Sequence, residues 1–132
     1  MNRGRNGVAG LMKRLEALVD SAEKAAADAA REAGETARAR AAALAPVGDG
    51  SDGGHLRDCI RAETASEGDC AVGRVVAENP HAAYVELGTG RRGGGSSDWP
   101  GMAARPYLRP SVEVGRAALI AAAGRALGGD GR

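Results

Sequence analysis

The stretch AAYVELGTGRR, residues 82–92, places Tyr84 and Glu86 directly ahead of a Gly88-Thr89-Gly90 turn and two arginines, Arg91 and Arg92. The chain holds only two tyrosines, one tryptophan and no phenylalanine, so an aromatic beside a lone carboxylate at the mouth of a glycine-rich loop stands out. Three kinds of chemistry use such a set. A carboxylate can exchange protons in an active site, bare glycine amides and arginines can cradle an anion, and a carboxylate facing arginines can form an assembly contact.

Catalysis needs side chains that activate one another. His55 and His81 flank the central segment, one in a glycine-rich loop and one after a proline, and neither has an Asp or Ser at a spacing that fixes a triad. Cys59 and Cys70 form no CxxC or Cys/His metal pattern and are too few for a disulfide framework, so both are expected to be free thiols. The segment PVGDGSDGGHL (46–56) has neither the acidic order of a calcium loop nor the Gly-Lys-Ser/Thr ending of a phosphate loop, and it reads as a connection. No catalytic residue, cofactor or metal is assigned. A nucleic-acid module would rest on Arg91, Arg92, Arg105 and Arg109 with Trp99 and Tyr107 between them. Against it stand 18 basic residues balanced by 17 acidic ones, and Glu86 within the same stretch.

Those residues must be positioned by the elements around them. Val8, Leu11, Leu15, Leu18, Ala22, Ala25 and Ala29 follow steps of three and four, which predicts a helix over 8–44 after a flexible 1–7, its apolar stripe lying on a sheet. Ala45-Pro46 ends it, and 45–55 is loop. Residues 56–78 alternate on both sides of a TASEGD turn and predict a β-hairpin. HAAYVELGTG suits a helical turn or a strand and is taken as a third strand; residues 81–110 are then strand plus a long extended loop. Residues 111–127 form a closing amphipathic helix stopped at Gly128-Gly129. The fold class is α+β, with a long N-terminal and a C-terminal helix packed on a small antiparallel sheet carrying a glycine-rich loop, in one domain over 1–132.

Alanine supplies most of the 43% apolar fraction, so a monomer has a thin core and gains by burying surface against neighbours. Charge is uneven along the chain. Residues 45–80 carry seven acids against Arg57, Arg61 and Arg74, and residues 81–132 carry seven arginines against four acids. Such segments can pair between copies. No apolar run reaches membrane-spanning length, so no membrane partner is expected.

Taken in order, Ala45-Pro46, then Gly54, Leu56, Arg57 and Ile60, then Tyr84 to Thr89, then Arg105 to Pro110 resemble the neck or tail-completion proteins of long-tailed bacteriophages, a family of minor tail components. The resemblance spans residues 8–127, with Leu87 where the family often has phenylalanine and an enlarged acidic loop at 48–54. It implies a structural virion protein of the head–tail junction without catalytic activity, assembled in the bacterial host cytoplasm. Copies would form a ring, sixfold or twelvefold, around the DNA channel. Its neighbours would be head-closure or adaptor proteins and tail-terminator or tail-tube proteins, and DNA would pass without sequence-specific binding. A tail terminator or head-closure ring protein is the alternative within this class. The resemblance further implies that Tyr84 packs its segment onto the sheet, that Gly88-Thr89-Gly90 turns the chain out toward a neighbour, and that Arg91, Arg92, Trp99 and Tyr107 lie among the loop or interface contacts. Glu86 either pairs with Arg105 or Arg109, within or between subunits, or caps local backbone amides.

Overall fold

A computed structural model describes residues 3–47, 55–89 and 101–128 of the chain. Helix α1 runs Arg3–Leu44 and a single 3-10 turn occupies Leu56–Cys59. Strands β1 (Ile60–Glu67) and β2 (Cys70–Ala77) follow, then helix α2 (Ala82–Leu87) and helix α3 (Leu108–Leu127). The architecture is α+β: two long helices against a two-stranded antiparallel sheet. Helix α1 begins at Arg3, inside the segment expected to be a flexible N-terminus.

The hairpin turns at Gly68, whose φ of 61° suits glycine, and pairs Ile60 with Ala77, Ala62 with Val75 and Thr64 with Gly73. Those residues share the face that meets α1. The opposite face carries Arg61, bridging Glu63 and Glu78, and Arg74 paired with Glu67. Exposed pairs of this kind add at most ~1 kcal/mol each and leave the packed face to hold the sheet in place. The register sets Cys70 opposite Glu67, while the Cys59 carbonyl accepts from Glu78 N–H beyond the other end of the ladder, so the two free thiols lie at opposite ends of the hairpin.

Two expectations are corrected. The third strand is helix α2. The Asn79 side chain accepts the His81 N–H at 2.8 Å and the Asn79 carbonyl accepts from Ala82 at 3.0 Å, which bends the chain into a helical turn before two alanines, with Gly88 stopping it six residues on. The apolar stripe of α1 also does not lie on the sheet along its whole length. Residues 4–24 are exposed throughout, and burial falls on the alanine half: Ala29, Ala30, Ala33, Ala37, Ala41 and Ala45.

Close approach of backbones explains that choice. A methyl group placed on Gly73 would sit 2.6 Å from the Ala30 carbonyl oxygen, and one on Gly115 would sit 2.9 Å from the Ala37 methyl. Helix α1 is thus squeezed between the β2 backbone on one side and the α3 backbone on the other, a space with no room for leucine. Beyond this sandwich the cluster of large buried side chains is small: Leu56, Ile60 and Tyr107 among Ala41, Ala45 and Ala82, with Val75, Val85 and Leu108 at its edge. Arg125 reaches from the end of α3 to Glu32 at 2.5 Å.

Gly73→Ala and Gly115→Ala should each destabilise the chain by about 1–3 kcal/mol through overpacking, with Gly73 worse because it meets backbone. Gly124→Ala, on the same helix as Gly115 with nothing within 4 Å, should instead stabilise by up to about 1 kcal/mol. Thermal unfolding followed by circular dichroism separates the three; equal effects at the three positions would refute close packing as their cause.

Candidate functional site

The segments singled out by the sequence meet where α2 faces the start of α3. Four contacts tie them together. The Tyr107 hydroxyl donates to the Ala82 carbonyl at 3.4 Å, and Arg105 N–H donates to the Val85 carbonyl at 2.8 Å. Thr89 and Met102 bond reciprocally: Thr89 N–H donates to the Met102 carbonyl at 2.9 Å, and Met102 N–H donates to Thr89 Oγ1 at 2.8 Å. The fourth contact is Glu86. Its Oε2 accepts the N–H groups of Tyr107 (2.8 Å) and Leu108 (2.9 Å), and its Oε1 accepts that of Arg109 (3.0 Å).

This carboxylate completes the N-terminus of α3. A helix leaves its first four N–H groups without intrahelical acceptors. With Tyr107 as the cap residue these belong to positions 107–110. Glu86 takes three, and the fourth position is Pro110, which has no N–H to satisfy. Tyr107 itself supplies no side-chain cap, so the acceptor comes from more than twenty residues upstream. Negative charge there also suits the positive end of the helix dipole.

Partial burial raises the Glu86 pKa, but the three amide bonds and the nearby Arg109 charge outweigh it and hold the carboxyl below its ordinary value. The Tyr107 phenol is pushed up, first by burial and then by the charge of Glu86. The two shifts are consistent with one ionised carboxylate beside a buried neutral phenol.

The expected roles are redistributed accordingly. Of the two roles open to Glu86, the chain itself supplies amide capping, and among the described residues Arg105 and Arg109 form no ion pair with it. Arg105 contributes its backbone, and Arg109 its backbone and its field; both side chains are exposed. Tyr84 is 48% exposed, whereas Tyr107 is the buried aromatic, at 0%, inside the chain's own core rather than at a loop surface. Gly88 has φ 75°, and a methyl there would lie 2.8 Å from both Ala104 N and the Met102 carbonyl oxygen, so the turn closes on the returning chain. Gly90, Arg91, Arg92 and Trp99 lie outside the described residues, as does the acidic loop at 48–54. Sequence reasoning missed Val85 and Met102, which act through their carbonyls and leave no side-chain signal. Among the described residues no group of three or more His, Cys, Asp or Glu side chains is placed to share a metal ion. The Tyr-Val-Glu-Leu-Gly-Thr motif is a latch between segments.

The first half of that latch lies within a known family pattern. Residues 9–88 match the model of the HK97-gp10-like family, described as "Bacteriophage HK97-gp10, putative tail-component". The match covers more than half of the chain, from the first turns of α1 through the glycine that closes α2, and the chain belongs to this family of bacteriophage tail components. Tyr107 and its neighbours, which Glu86 engages, lie beyond the matched residues. No curated protein and no solved structure matches the chain significantly.

Glu86→Gln should destabilise the fold by about 1–2 kcal/mol, because an amide offers one acceptor oxygen where the carboxylate offers two. The depressed pKa means that the charged cap stabilises above the unfolded carboxyl value, near 4.5, and that this contribution fades as pH falls through the lower folded value. The gap between wild type and Glu86→Gln should therefore narrow on acidification. Denaturant midpoints from pH 7 to pH 3 measure it; a constant gap would show that the charge of Glu86 is not what stabilises α3. Combined with Arg105→Ala, which leaves the backbone donor in place, the effects on stability should add.

Proposed function

We propose that the chain is a structural protein of the phage virion that sits in the neck, at the head–tail junction, and works as a ring. Membership of a phage tail-component family carries the reading. The shape of the molecule supports it in two ways. Among the described residues the core contains few large side chains, and sixteen large apolar residues, most of them on α1 and α3, are exposed. A monomeric protein rarely leaves contiguous apolar surface of this kind uncovered. The latch orders the site around structure: its carboxylate is consumed by a helix terminus and its phenol by the core, which leaves neither for proton transfer.

The ring surrounds the DNA channel with sixfold or twelvefold symmetry. It touches head-closure or adaptor proteins on one side and tail-terminator or tail-tube proteins on the other. DNA passes through without base-specific contacts. The exposed Arg105 and Arg109 at the start of α3 are available to such neighbours, and contacts through them weaken with salt.

A reconstruction of the neck of intact particles, together with assembly in cells lacking the chain, tests the reading. The expected result is a closed ring of this chain at the junction, and full heads and finished tails that stay unjoined without it. Particles that join normally in its absence, or a chain present as single copies without self-contact, would overturn it.

A further inference from the structure

Among the described residues two apolar surfaces are left without partners, and they are unlike in shape. One is convex. Among the described residues, helix α1 is exposed at every position over 4–24, and Val8, Leu11, Met12, Leu15, Leu18 and Val19 form one stripe on it, each between 47% and 66% exposed. The other is concave. Where the alanine half of α1 runs between the hairpin and α3, it floors an open cleft of about 230 Å³. Its floor is Ala30, Ala33, Gly34 and Ala37, and its walls are Ala71, Gly73 and Val75 on one side and Val112, Gly115 and Leu119 on the other. An apolar cavity of ~150 Å³ holds a benzene ring, so this cleft has room for branched aliphatic side chains. The same glycines and alanines that let the backbones close up keep the cleft hollow.

Charge orders the two surfaces in the same sense. Between residues 4 and 14 the projecting helix carries Arg5, Lys13 and Arg14 and no acid; between 15 and 24 it carries Glu16, Asp20 and Glu23 against one base, Lys24. The cleft also has two unlike ends. At the Ala30 end, where Gly73 touches α1, lie Ala71 and the hairpin turn with Asp69; Glu67 there is paired with Arg74, and Glu32 with Arg125. Toward the Ala37 end, where Gly115 touches α1, lie Arg116 on the wall, 3.8 Å from Glu113, and the exposed Arg109 at the start of α3. A helix laid with its basic end at the hairpin turn puts its acidic part toward these arginines. The reverse direction sets Glu16, Asp20 and Glu23 toward Asp69, and Arg5, Lys13 and Arg14 toward Arg109.

We propose that the projecting half of α1 from one copy docks its leucine stripe into the α1–hairpin–α3 cleft of the next copy. The contact joins two different surfaces of one chain, so it is heterologous and repeats from copy to copy until a ring closes. This rests on the ring reading above and names its surface. The alanine half of α1 then belongs to its own subunit and the leucine half to the neighbour, which accounts for the change of residue type midway along one uninterrupted helix.

The test is disulfide trapping in full-length chain with Cys59 and Cys70 replaced by serine. Leu15→Cys combined with Leu119→Cys should give, on mild oxidation, a ladder of covalent dimers, trimers and higher species, while each single cysteine gives monomer. Dimers from Leu15→Cys alone would show stripe meeting stripe and would overturn the proposal; so would the absence of a ladder from the double variant. A second arm keeps the two cysteines out. Leu15→Glu and Leu119→Glu, both at exposed positions, should each weaken self-association at least tenfold by sedimentation while leaving the unfolding temperature unchanged. Unchanged association in both would refute the contact. The two readings fail separately: a ladder from purified chain with no ring at the neck sinks the location and keeps the contact, and a ring at the neck without the ladder does the reverse.

Discussion

The fold turns on one carboxylate that accepts three backbone amides. Without Glu86, helix α3 would start with donors facing no acceptor, because its own cap residue is a tyrosine and the fourth donor position is a proline. With it, α3 is held by its first turn at a fixed place relative to α2. Everything downstream depends on that placement. Tyr107 enters the core between Ala82 and Ala41 only because α3 begins there, and Gly115, two turns on, meets the Ala33–Ala37 turn of α1 only if the helix leaves at the right angle. A charged group is a suitable instrument for this. It can hold several donors at once, and the geometry of their convergence is strict.

That constraint also explains why the molecule tolerates so poor a hydrophobic core. Alanine on alanine buries little area per residue, at roughly 25 cal/mol per Å². Small residues compensate by letting main chains come within contact distance, so that dispersion between backbones replaces interdigitated side chains. Such packing has no long side chains to adjust, and positions are dictated by the helix axes themselves. Polar anchors at the chain's turning points, Glu86 at α3 and Thr89 with Met102 beside it, fix those axes.

Much of this architecture is legible in the residues, and the places where it is not are instructive. The long helix, the hairpin about TASEGD and the closing helix follow from periodicity and breakers, because proline and glycine act locally. Segment 82–87 misleads because it is too short for a period to declare itself, and the Asn79 side chain decides it. The stripe of α1 reads as one continuous face, yet periodicity reports which residues share a side and nothing about what covers that side. The three motifs Tyr-Val-Glu, Gly-Thr-Gly and Arg-Pro-Tyr-Leu are visible as a set. Their connection is not, since the partners of Glu86 and Thr89 are main-chain groups that any residue offers. A lone carboxylate near arginines invites a search for guanidinium partners, and here it accepts instead the backbone N–H groups of Tyr107, Leu108 and Arg109.

The reciprocal bonds between Thr89 and Met102 bring the two ends of an intervening stretch of chain to a single point. Because that point is closed by main-chain groups and one hydroxyl, the closure itself does not depend on how many residues run between. Closing a longer stretch costs only the slow logarithmic growth of loop entropy, about 0.6 kcal/mol per doubling. An insertion or deletion between Thr89 and Met102 therefore costs the closure itself little. A closure of this kind lets the number of residues between its two ends change apart from the contacts that hold them.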